Sequence, residues 1–539
     1  MRVPLLVLWA AFGLGCSGTS TPDAGHDGGV GVDAAIPSGP WRSVLHPEAW
    51  TPEHDDAAGR FLHDFSYAGY RNGEAELGAH GPDVIFDASD FGADPSGASD
   101  ATGALQAAID AASVSGGVVR LGAGTYRVDG VLRVEASQVV LRGEGPERTR
   151  LHFATLAGMG SLAHLAFAGT VTTDLEARLA IDAGARDRVV TVEDASGLAV
   201  GDDVDVGWVV TPEFVADHAM TGFWTVFNDA WQPFFRREIV AIDGTRITLD
   251  VPLRYPAQLR DAASLRRTRG WLREVGVESL GVANAGAPDD AWATSQVRAI
   301  EMSGVADGWI RDVASFVSPS APAEGEGAGA HLASGGILVS ASKRVTVADT
   351  HLAEAQNRGP GGNGYLFEVR TSSELLFRDC TGRAGRHNFI TNWGFGTSGI
   401  VWLRVRSAEG RSLPARTGGF SVTGLCDYHH SLATANLVDS SALDDGWTAT
   451  NRLGSSSGAG HGATESVFWN TAGSGVVRSL QWGYGYVIGT GPELDVVTWG
   501  SLLEQVDTEP EDFSEGLGRG ADLVPGSLYE DQLARRLGR

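Results

Sequence analysis

The sequence predicts an all-β solenoid, a chain that winds into a coil of short stacked strands. From residue 117 onward, Val- and Leu-rich segments recur about every ten residues and are punctuated by glycine. From residue 270, a unit of Gly-led strand, polar turn and second strand repeats at roughly 20–30 residues. Such units bury a continuous core only when they stack. The 73 glycines among 539 residues suit a chain that turns often.

One amphipathic helix precedes the strands. Leu105 and Ile109 lie four residues apart, on one helical face. Asp100 or Thr102 is predicted to cap its first turn, and Gly116-Gly117 to end it. Because strands follow directly, we expect this helix to cover the open end of the coil.

Residues 84–143 resemble the start of the pectate-lyase-like right-handed parallel β-helix proteins. The resemblance rests on Phe91-Gly92-Ala93, on the helical segment Leu105–Ala112 and on Gly124-Thr125-Tyr126. It implies a single-stranded, right-handed parallel β-helix with an N-terminal capping helix. That group includes lyases, hydrolases, epimerases and phage tailspikes, so the resemblance leaves the reaction open.

The N-terminus predicts export. Residues 1–16 hold Arg2, a short apolar run and Cys16, and the run is too short to span a bilayer. The residues before Cys16 resemble a bacterial lipobox, although Gly13 stands where that motif prefers Leu. Residues 17–40 are poor in bulky apolar residues and predict a disordered linker. We therefore expect a chain lipid-anchored at Cys16 to a bacterial membrane or cell surface, or one that is secreted after an ordinary signal.

Four further segments follow. Residues 41–83 form an aromatic prelude that we expect to pack on the coil, and residues 84–170 form the cap and first turns. Residues 180–256 predict a small β insertion with a hairpin at Asp243-Gly244. Its aromatic-rich loop could overhang a groove. Residues 257–539 resume the coil and close in a capping helix that carries Leu528, Leu533 and Leu537 near one face. We expect this helix to cover an exposed edge or end of the coil.

The net charge bears on the class of binding partner, and the cysteine spacing bears on disulfide formation. The net charge is −26 and Lys343 is the only lysine, which argues against nucleic acid as a partner. The charge does not argue against an acidic glycan as a partner, provided that a local arginine cluster binds it. Cys380 and Cys426 are expected to be buried free thiols, because cysteines about two coils apart are too distant to bond. We expect a monomer whose only membrane contact is through Cys16.

Polar residues concentrate in four clusters between residues 386 and 470. Stacked turns place equivalent positions in a ladder, so we expect these clusters to converge on one groove. The alternative is that they satisfy turn backbones. The clusters are Arg386, His387 and Asn388; Asp427, Tyr428, His429 and His430; Asp444, Asp445, Trp447, Asn451 and Arg452; and His461, Glu465 and Asn470.

Their chemistry suggests an enzyme that depolymerises a polysaccharide. Glycoside hydrolysis needs two carboxyl groups, and the order of Asp444-Asp445 and Gly460-His461-Gly462 resembles part of the polygalacturonase pattern. The spacing here is shorter, and the flanking motifs of that family are missing. Candidate catalytic residues are Asp427, Asp444, Asp445, His461 and Glu465. Candidate substrate-binding residues are Arg386, His387, Asn388, Tyr428, His429, His430, Trp447, Arg452 and Trp482.

Two other functions fit the same residues. A polysaccharide lyase would use Arg, His or Tyr side chains for β-elimination on a uronate-containing glycan. Asp427, Asp444 and Asp445 could then hold Ca²⁺, the one cofactor that these residues suggest. A non-catalytic glycan-binding solenoid would need no acid–base pair. The density of carboxylates and the order of Asp444-Asp445 and Gly460-His461-Gly462 favour hydrolysis.

Overall fold

Parallel strands stack into two long sheets and wind into a right-handed β-helix, which confirms the predicted fold class. The computed structural model describes residues 39–416, 421–500 and 510–539. Cys16, the signal and nearly all of the linker lie outside the described residues. No helix of the described chain is long and apolar enough to cross a membrane.

The first sheet has 18 strands in two rows that merge where three long strands pass through both. The first row contains Ile85–Asp87, Gly117–Arg120, Val139–Arg142, Leu272–Arg273, Gly276–Ala283, Val305–Ser315, Lys343–Ala353, Leu376–Arg378, Val401–Leu403, Leu437–Asp439, Val467–Thr471, Tyr486–Thr490 and Phe513–Glu515. The second row adds Gly124–Val128, Thr149–Phe153, Thr381–Arg383, Arg406–Ala408 and Ala442–Leu443.

The second sheet has ten strands, all parallel, and carries the site described below. Its strands are Leu132–Val134, Ala163–Ala168, Arg298–Ser303, Gly335–Ser340, Tyr365–Arg370, His387–Thr391, Cys426–Tyr428, Trp447–Ala449, Val476–Ser479 and Asp495–Val497. Two short pairs complete the strands of the coil: Arg411–Ser412 with Val422–Thr423, and Ala433–Thr434 with Ala463–Thr464.

The α-helices are Thr102–Ser115, Pro212–Asp217, Pro288–Ala293, Ser455–Gly458 and Leu528–Leu537. Tyr70–Gly73, Ala88–Phe91, Leu259–Asp261 and Gly520–Asp522 form 3₁₀ turns.

The first helix packs on the opening coil, as predicted. Leu105 and Ile109 are buried in the coil core. Ala101 occupies the N-cap position, but Asp100 supplies the cap, because its Oδ1 accepts the Thr102 N–H at 2.9 Å. The helix ends before Gly116, whose φ of 82° suits glycine.

The insertion is an antiparallel sheet that extends beyond the predicted bounds 180–256 on both sides. Its strands are Thr172–Arg178, Val189–Thr191, Asp203–Val209, Trp231–Asp243, Arg246–Leu249 and Ser264–Arg269. Asp243 pairs with Arg246 across the predicted hairpin. The insertion lies along the turns that follow the second sheet, where Arg236 N donates to Ser373 Oγ at 3.1 Å. Buried Lys343 ties it to the coil, since Nζ donates to Arg237 O at 2.7 Å.

The prelude and the last helix together cover the outward face of the first sheet. Phe65 and Leu62 share an apolar cluster there with Leu528 and Tyr529. The packing of the prelude was predicted. The helix, however, covers the outward face of the first sheet rather than an edge or an end of the coil. Cys380 and Cys426 are buried free thiols, as expected.

Candidate active site

A cavity of about 540 Å³ lies on the outward face of the second sheet. Volumes in this range are typical of sites for small molecules. Residues from successive coils line it: Gln296, Pro360, Gly361, Gly362, Tyr365, Arg370, Arg386, Asn392, Trp393, His429, His430, Ser456 and Ser457.

From Phe367 and Phe389 onward, strand alternation decides which side chains face outward, whereas Tyr365 and His387 stand at the strand starts. Phe367 and Phe389 point into the core, where their rings stack with centroids 4.9 Å apart. The residue after each of them points outward. Glu368 pairs with Ile390 and Ile390 pairs with Asp427. The two carboxylates therefore share one outward row, two strands or about 10 Å apart.

Asp427, His429 and Arg452 form a hydrogen-bonded cluster. Asp427 Oδ2 lies 2.6 Å from His429 Nδ1 and 2.6 Å from Arg452 Nη1. Burial acts to raise the pKa of Asp427, but Arg452 and His429 outweigh it and hold the pKa well below its usual range. Burial and the charge of Arg452 lower the pKa of His429. The ionised carboxylate only accepts hydrogen bonds, so neutral His429 carries its proton on Nδ1 and keeps a lone pair on Nε2.

His387 and Tyr365 occupy paired positions on neighbouring strands. His387 Nδ1 donates to Leu425 O at 2.5 Å, which again leaves a lone pair on Nε2. Burial and the charge of Arg386 lower the pKa of His387 to about 3. Burial raises the pKa of Tyr365 to about 12. Near neutral pH this pair therefore offers a neutral imidazole and a protonated phenol.

His430 joins the sheet to the loop that carries Ser456. Its Nε2 donates to Ser456 O at 2.6 Å, and its Nδ1 lies 3.2 Å from Asn392 Oδ1. Its ring meets that of Trp393 edge to face, with centroids 5.0 Å apart. Burial and neighbouring His429 lower the pKa of His430 to about 4.

Arginines surround the remaining carboxylates. Glu368 accepts from Arg298 Nη2 at 2.9 Å and from Arg370 Nε at 2.6 Å. Burial acts to raise the pKa of Glu368, but these two arginines lower it overall. Glu301 lies on the same outward row, and burial raises its pKa.

Arg386 is the cavity arginine without an acidic partner. Its Nη1 donates to Gly359 O at 2.9 Å, and it forms no ion pair with any residue that the structure describes. Its buried Nε also has no hydrogen-bond partner among the described residues. A guanidinium in this state favours an anionic ligand.

The structure brings six of the predicted residues to the cavity or its border: Arg386, His387, Asp427, His429, His430 and Arg452. Their convergence follows from the parallel register of the second sheet. The other eight lie elsewhere, each for a definite reason.

Asn388 and Asp445 meet inside the coil. Asp445 accepts from Asn388 Nδ2 at 2.9 Å, from Ser407 Oγ at 2.8 Å and from Gly410 N at 2.9 Å. Burial raises the pKa of Asp445. These contacts order a turn and hold the Asp445 carboxylate inside the coil, away from the cavity.

Asp444 and Glu465 pair with groups on other surfaces. Asp444 Oδ2 binds exposed Arg406 at 2.9 Å, so neighbouring Asp444 and Asp445 point apart. Glu465 binds His63 of the prelude. Neither carboxylate lies beside Asp427, so the expected catalytic set is not assembled.

His461 and Trp482 pack under the insertion. His461 Nε2 donates to His218 O at 2.8 Å, and its ring lies 4.9 Å from that of Trp482. Burial lowers the pKa of His461 to about 4. These contacts give His461 a structural role under the insertion, away from the cavity.

Tyr428 and Trp447 belong to the core, with ring centroids 5.3 Å apart. Strand alternation turns Tyr428 inward because Asp427 and His429 face outward, and Trp447 pairs with inward-facing Cys426 on the neighbouring strand. Asn451 and Asn470 bond backbone groups of Leu453 and Gly526, which matches the alternative interpretation of the polar clusters.

The proposed Ca²⁺ ligands are not together, since Asp427, Asp444 and Asp445 each have a separate partner. No group of three or more His, Cys, Asp or Glu side chains in the described ranges could hold a metal ion. The residues present therefore do not fit the Ca²⁺ site that the sequence suggested.

Sequence reasoning missed Tyr365, Glu368, Arg370, Asn392 and Trp393. One signal was available, because Glu368 and Arg370 interrupt an apolar strand at alternate positions, where outward side chains belong. Trp393 gave no such signal, since only its place at the end of a strand exposes it.

Comparisons with known proteins bear on the fold. The family described as rhamnogalacturonase A/epimerase, pectate lyase-like, matches residues 85–185, the region of the capping helix and first coils. A search of curated protein sequences gave no significant match.

Several solved structures are similar to this chain. The tailspike protein gp49 from Pseudomonas phage LKA1 is 14% identical, with a TM-score of 0.49 over 78% of this chain and 64% of the tailspike. The present chain thus spans just under two thirds of that protein. An exopolygalacturonase from Thermotoga maritima is 10% identical, with a TM-score of 0.35 over 80% of this chain and 77% of the enzyme. PfbA, a surface adhesin of Streptococcus pneumoniae, is 10% identical, with a TM-score of 0.32 over 80% of this chain and 92% of the adhesin.

Proposed function

We propose that this chain is a carbohydrate-active enzyme that cleaves a uronate-containing polysaccharide by β-elimination. One observation carries the proposal: Asp427 fixes the tautomer of neutral His429 at the wall of a cavity that also presents the unpaired guanidinium of Arg386. A general base and a carboxylate-binding cation are the two groups that this reaction requires.

The residues take distinct roles in the proposed step. Arg386 binds the uronate carboxylate and stabilises the charge that develops on it. His429 Nε2 removes the proton from C5, the electron pair forms the C4–C5 double bond, and the C4–O glycosidic bond breaks. The leaving oxygen takes a proton from the phenol of Tyr365, whose raised pKa keeps it protonated. Asp427 acts as a positioning residue for His429.

Elimination fits the cavity better than the hydrolysis that the sequence favoured. Hydrolysis requires one carboxyl group that is still protonated near neutral pH. Asp427 and Glu368 are both held ionised by arginines, and their pKa values are lowered. Glu301 alone supports hydrolysis as a second candidate, because burial raises its pKa and it shares the outward row with Glu368.

The test uses a panel of polysaccharides. Purified protein is incubated with polygalacturonate, alginate and hyaluronan, with dextran and amylose as neutral controls. Ultraviolet absorbance of the unsaturated uronate product and reducing ends are followed together. We expect both signals to rise on one of the acidic substrates and neither on the neutral ones.

Other outcomes reject the proposal in distinct ways. Reducing ends without ultraviolet absorbance would indicate hydrolysis, with Glu301 as the candidate acid. Binding without either signal would indicate a glycan-binding solenoid. An altered C5 configuration without chain cleavage would indicate that the same proton abstraction leads to epimerisation.

We also propose that the protein is exported and anchored through a lipid on Cys16. The apolar run before Cys16 and the polar segment after it support this location.

A further inference from the structure

Trp393 stands out among the residues of the cavity. It is 42% exposed although it is a large apolar side chain at the edge of a polar cavity. Its φ is 49°, in the left-handed region. The register places Thr371 and Ala341 at the same turn of the two preceding coils, and both also have positive φ. The turn therefore does not need an aromatic residue, and of these three coils only the one with Trp393 carries an aromatic residue there, beside His430.

The insertion supports this tryptophan from behind. Phe227 contacts Trp393 edge to face, with ring centroids 6.0 Å apart. Phe227 in turn lies 5.8 Å from Phe395, which is fully buried in the aromatic core of the insertion. A continuous set of ring contacts thus runs from the insertion core to the cavity.

The same loop of the insertion supports a second wall of the cavity. Trp224 Nε1 donates to Ala459 O at 2.9 Å, and this bond is buried. Phe223 packs on Gly454 and Gly458 so closely that a Cβ at Gly458 would lie 2.1 Å from Phe223 O. The segment between these glycines carries Ser456, which accepts the hydrogen bond from His430.

We propose that Trp393 is a stacking platform for a pyranose ring of the substrate and that Phe227 positions it. The insertion would then contribute to substrate recognition without touching the reacting atoms. Aromatic side chains suit this use because they bury a large rigid surface, and a half-exposed indole beside polar groups fixes both the face and the edges of a sugar ring. This inference rests on the proposed function.

The test measures glycan binding separately from turnover. Binding of the polysaccharides named above is measured by affinity electrophoresis and calorimetry in a His429→Ala background, and KM and kcat are measured with His429 intact. We expect Trp393→Ala to weaken binding and raise KM about tenfold, with kcat changed less than KM. Trp393→Phe should restore most of the affinity. Phe227→Ala should weaken binding less than Trp393→Ala does.

A double-mutant cycle tests the positioning role. If Phe227 acts through Trp393, Phe227→Ala should have no further effect once Trp393 is alanine. Trp499→Ala and Val226→Ala are matched controls, because these side chains are 71% and 51% exposed and do not line the cavity. Both should bind as the wild type does.

Wild-type affinity in Trp393→Ala would overturn the platform, and a full effect of Phe227→Ala in the Trp393→Ala background would overturn the positioning role. These failures are distinguishable from failure of the proposed reaction. In that case the wild type gives no unsaturated product, yet binding still depends on Trp393. Absence of binding to every polysaccharide overturns both proposals.

Discussion

His429 Nδ1 lies 2.6 Å from Asp427 Oδ2, a carboxylate oxygen that also binds Arg452. The same contact sets the tautomer of the histidine and keeps its Nε2 available as a base. Asp427 and His429 are only two residues apart, so a single strand end supplies both groups. The rest of the cavity comes from neighbouring coils.

Replacing Asp427 by Asn should reduce kcat for glycan cleavage by about 10²–10⁴-fold, the usual contribution of acid–base catalysis. The amide keeps the shape but carries no negative charge, so it neither balances Arg452 nor stabilises the imidazolium that proton abstraction creates. The rate of formation of unsaturated product measures the effect. His461→Ala is the control. It should lower the free energy of unfolding and leave kcat near the wild-type value, because His461 packs under the insertion.

The pH dependence of cleavage should report His429. Its pKa is lowered, so the base stays unprotonated below the usual histidine value of about 6.5. The pH at which kcat drops to half its maximum on the acid side should therefore lie below about 6.5. A limb at or above the usual value would contradict the assignment of His429 as the base.

Arg386→Ala should raise KM for an acidic glycan by about ten- to a hundredfold, as expected for one lost charge-assisted contact. Arg386→Lys should retain part of the affinity and show a steeper dependence on salt. Arg406, which already pairs with Asp444 on the surface, is the matched control. Equal losses in Arg386→Ala and Arg406→Ala would indicate a general charge effect.

Trp447→Ala should lower the free energy of unfolding by about 3–5 kcal/mol, because the indole is buried inside the coil. Urea unfolding followed by circular dichroism measures the change. KM of the folded variant should stay near that of the wild type. A large rise in KM at full stability would return Trp447 to the substrate-binding residues that the sequence suggested.

Asp512 should make stability depend on pH. Burial raises its pKa to about 7, whereas its unfolded value is about 3.9. Between these values the folded protein binds the proton more tightly, so lowering the pH stabilises it. This contribution is complete below the unfolded pKa and is lost as the pH rises through the folded one. Relative to Asp512→Asn, the wild type should gain up to about 1.4 kcal/mol per pH unit on acidification. Parallel stability curves for the two proteins would refute this.

Cys16→Ala should release the protein from the membrane fraction of a bacterial host. Cell fractionation and incorporation of labelled fatty acid measure the outcome. A wild-type protein that is already soluble and unlabelled would instead indicate an ordinary secretory signal.

The sequence by itself determined the architecture. Val- and Leu-rich strands, regular turns and one amphipathic helix at residues 102–115 leave few ways to bury the apolar faces except by stacking coils. The sequence also predicted a cluster of polar residues, because parallel coils align equivalent positions. Its members at the cavity or its border are Arg386, His387, Asp427, His429, His430 and Arg452.

Only the tertiary structure decided which of the polar residues lie at the cavity. Glu465 is bound by a prelude residue 402 positions away, and His461 by an insertion residue 243 positions away. Phe227 reaches Trp393 in the same way, across the boundary between insertion and coil. Contacts between such distant segments depend on how the insertion and prelude dock, and no local pattern of residues encodes that docking. Local periodicity determined the coil, whereas long-range packing determined which polar residues line the cavity.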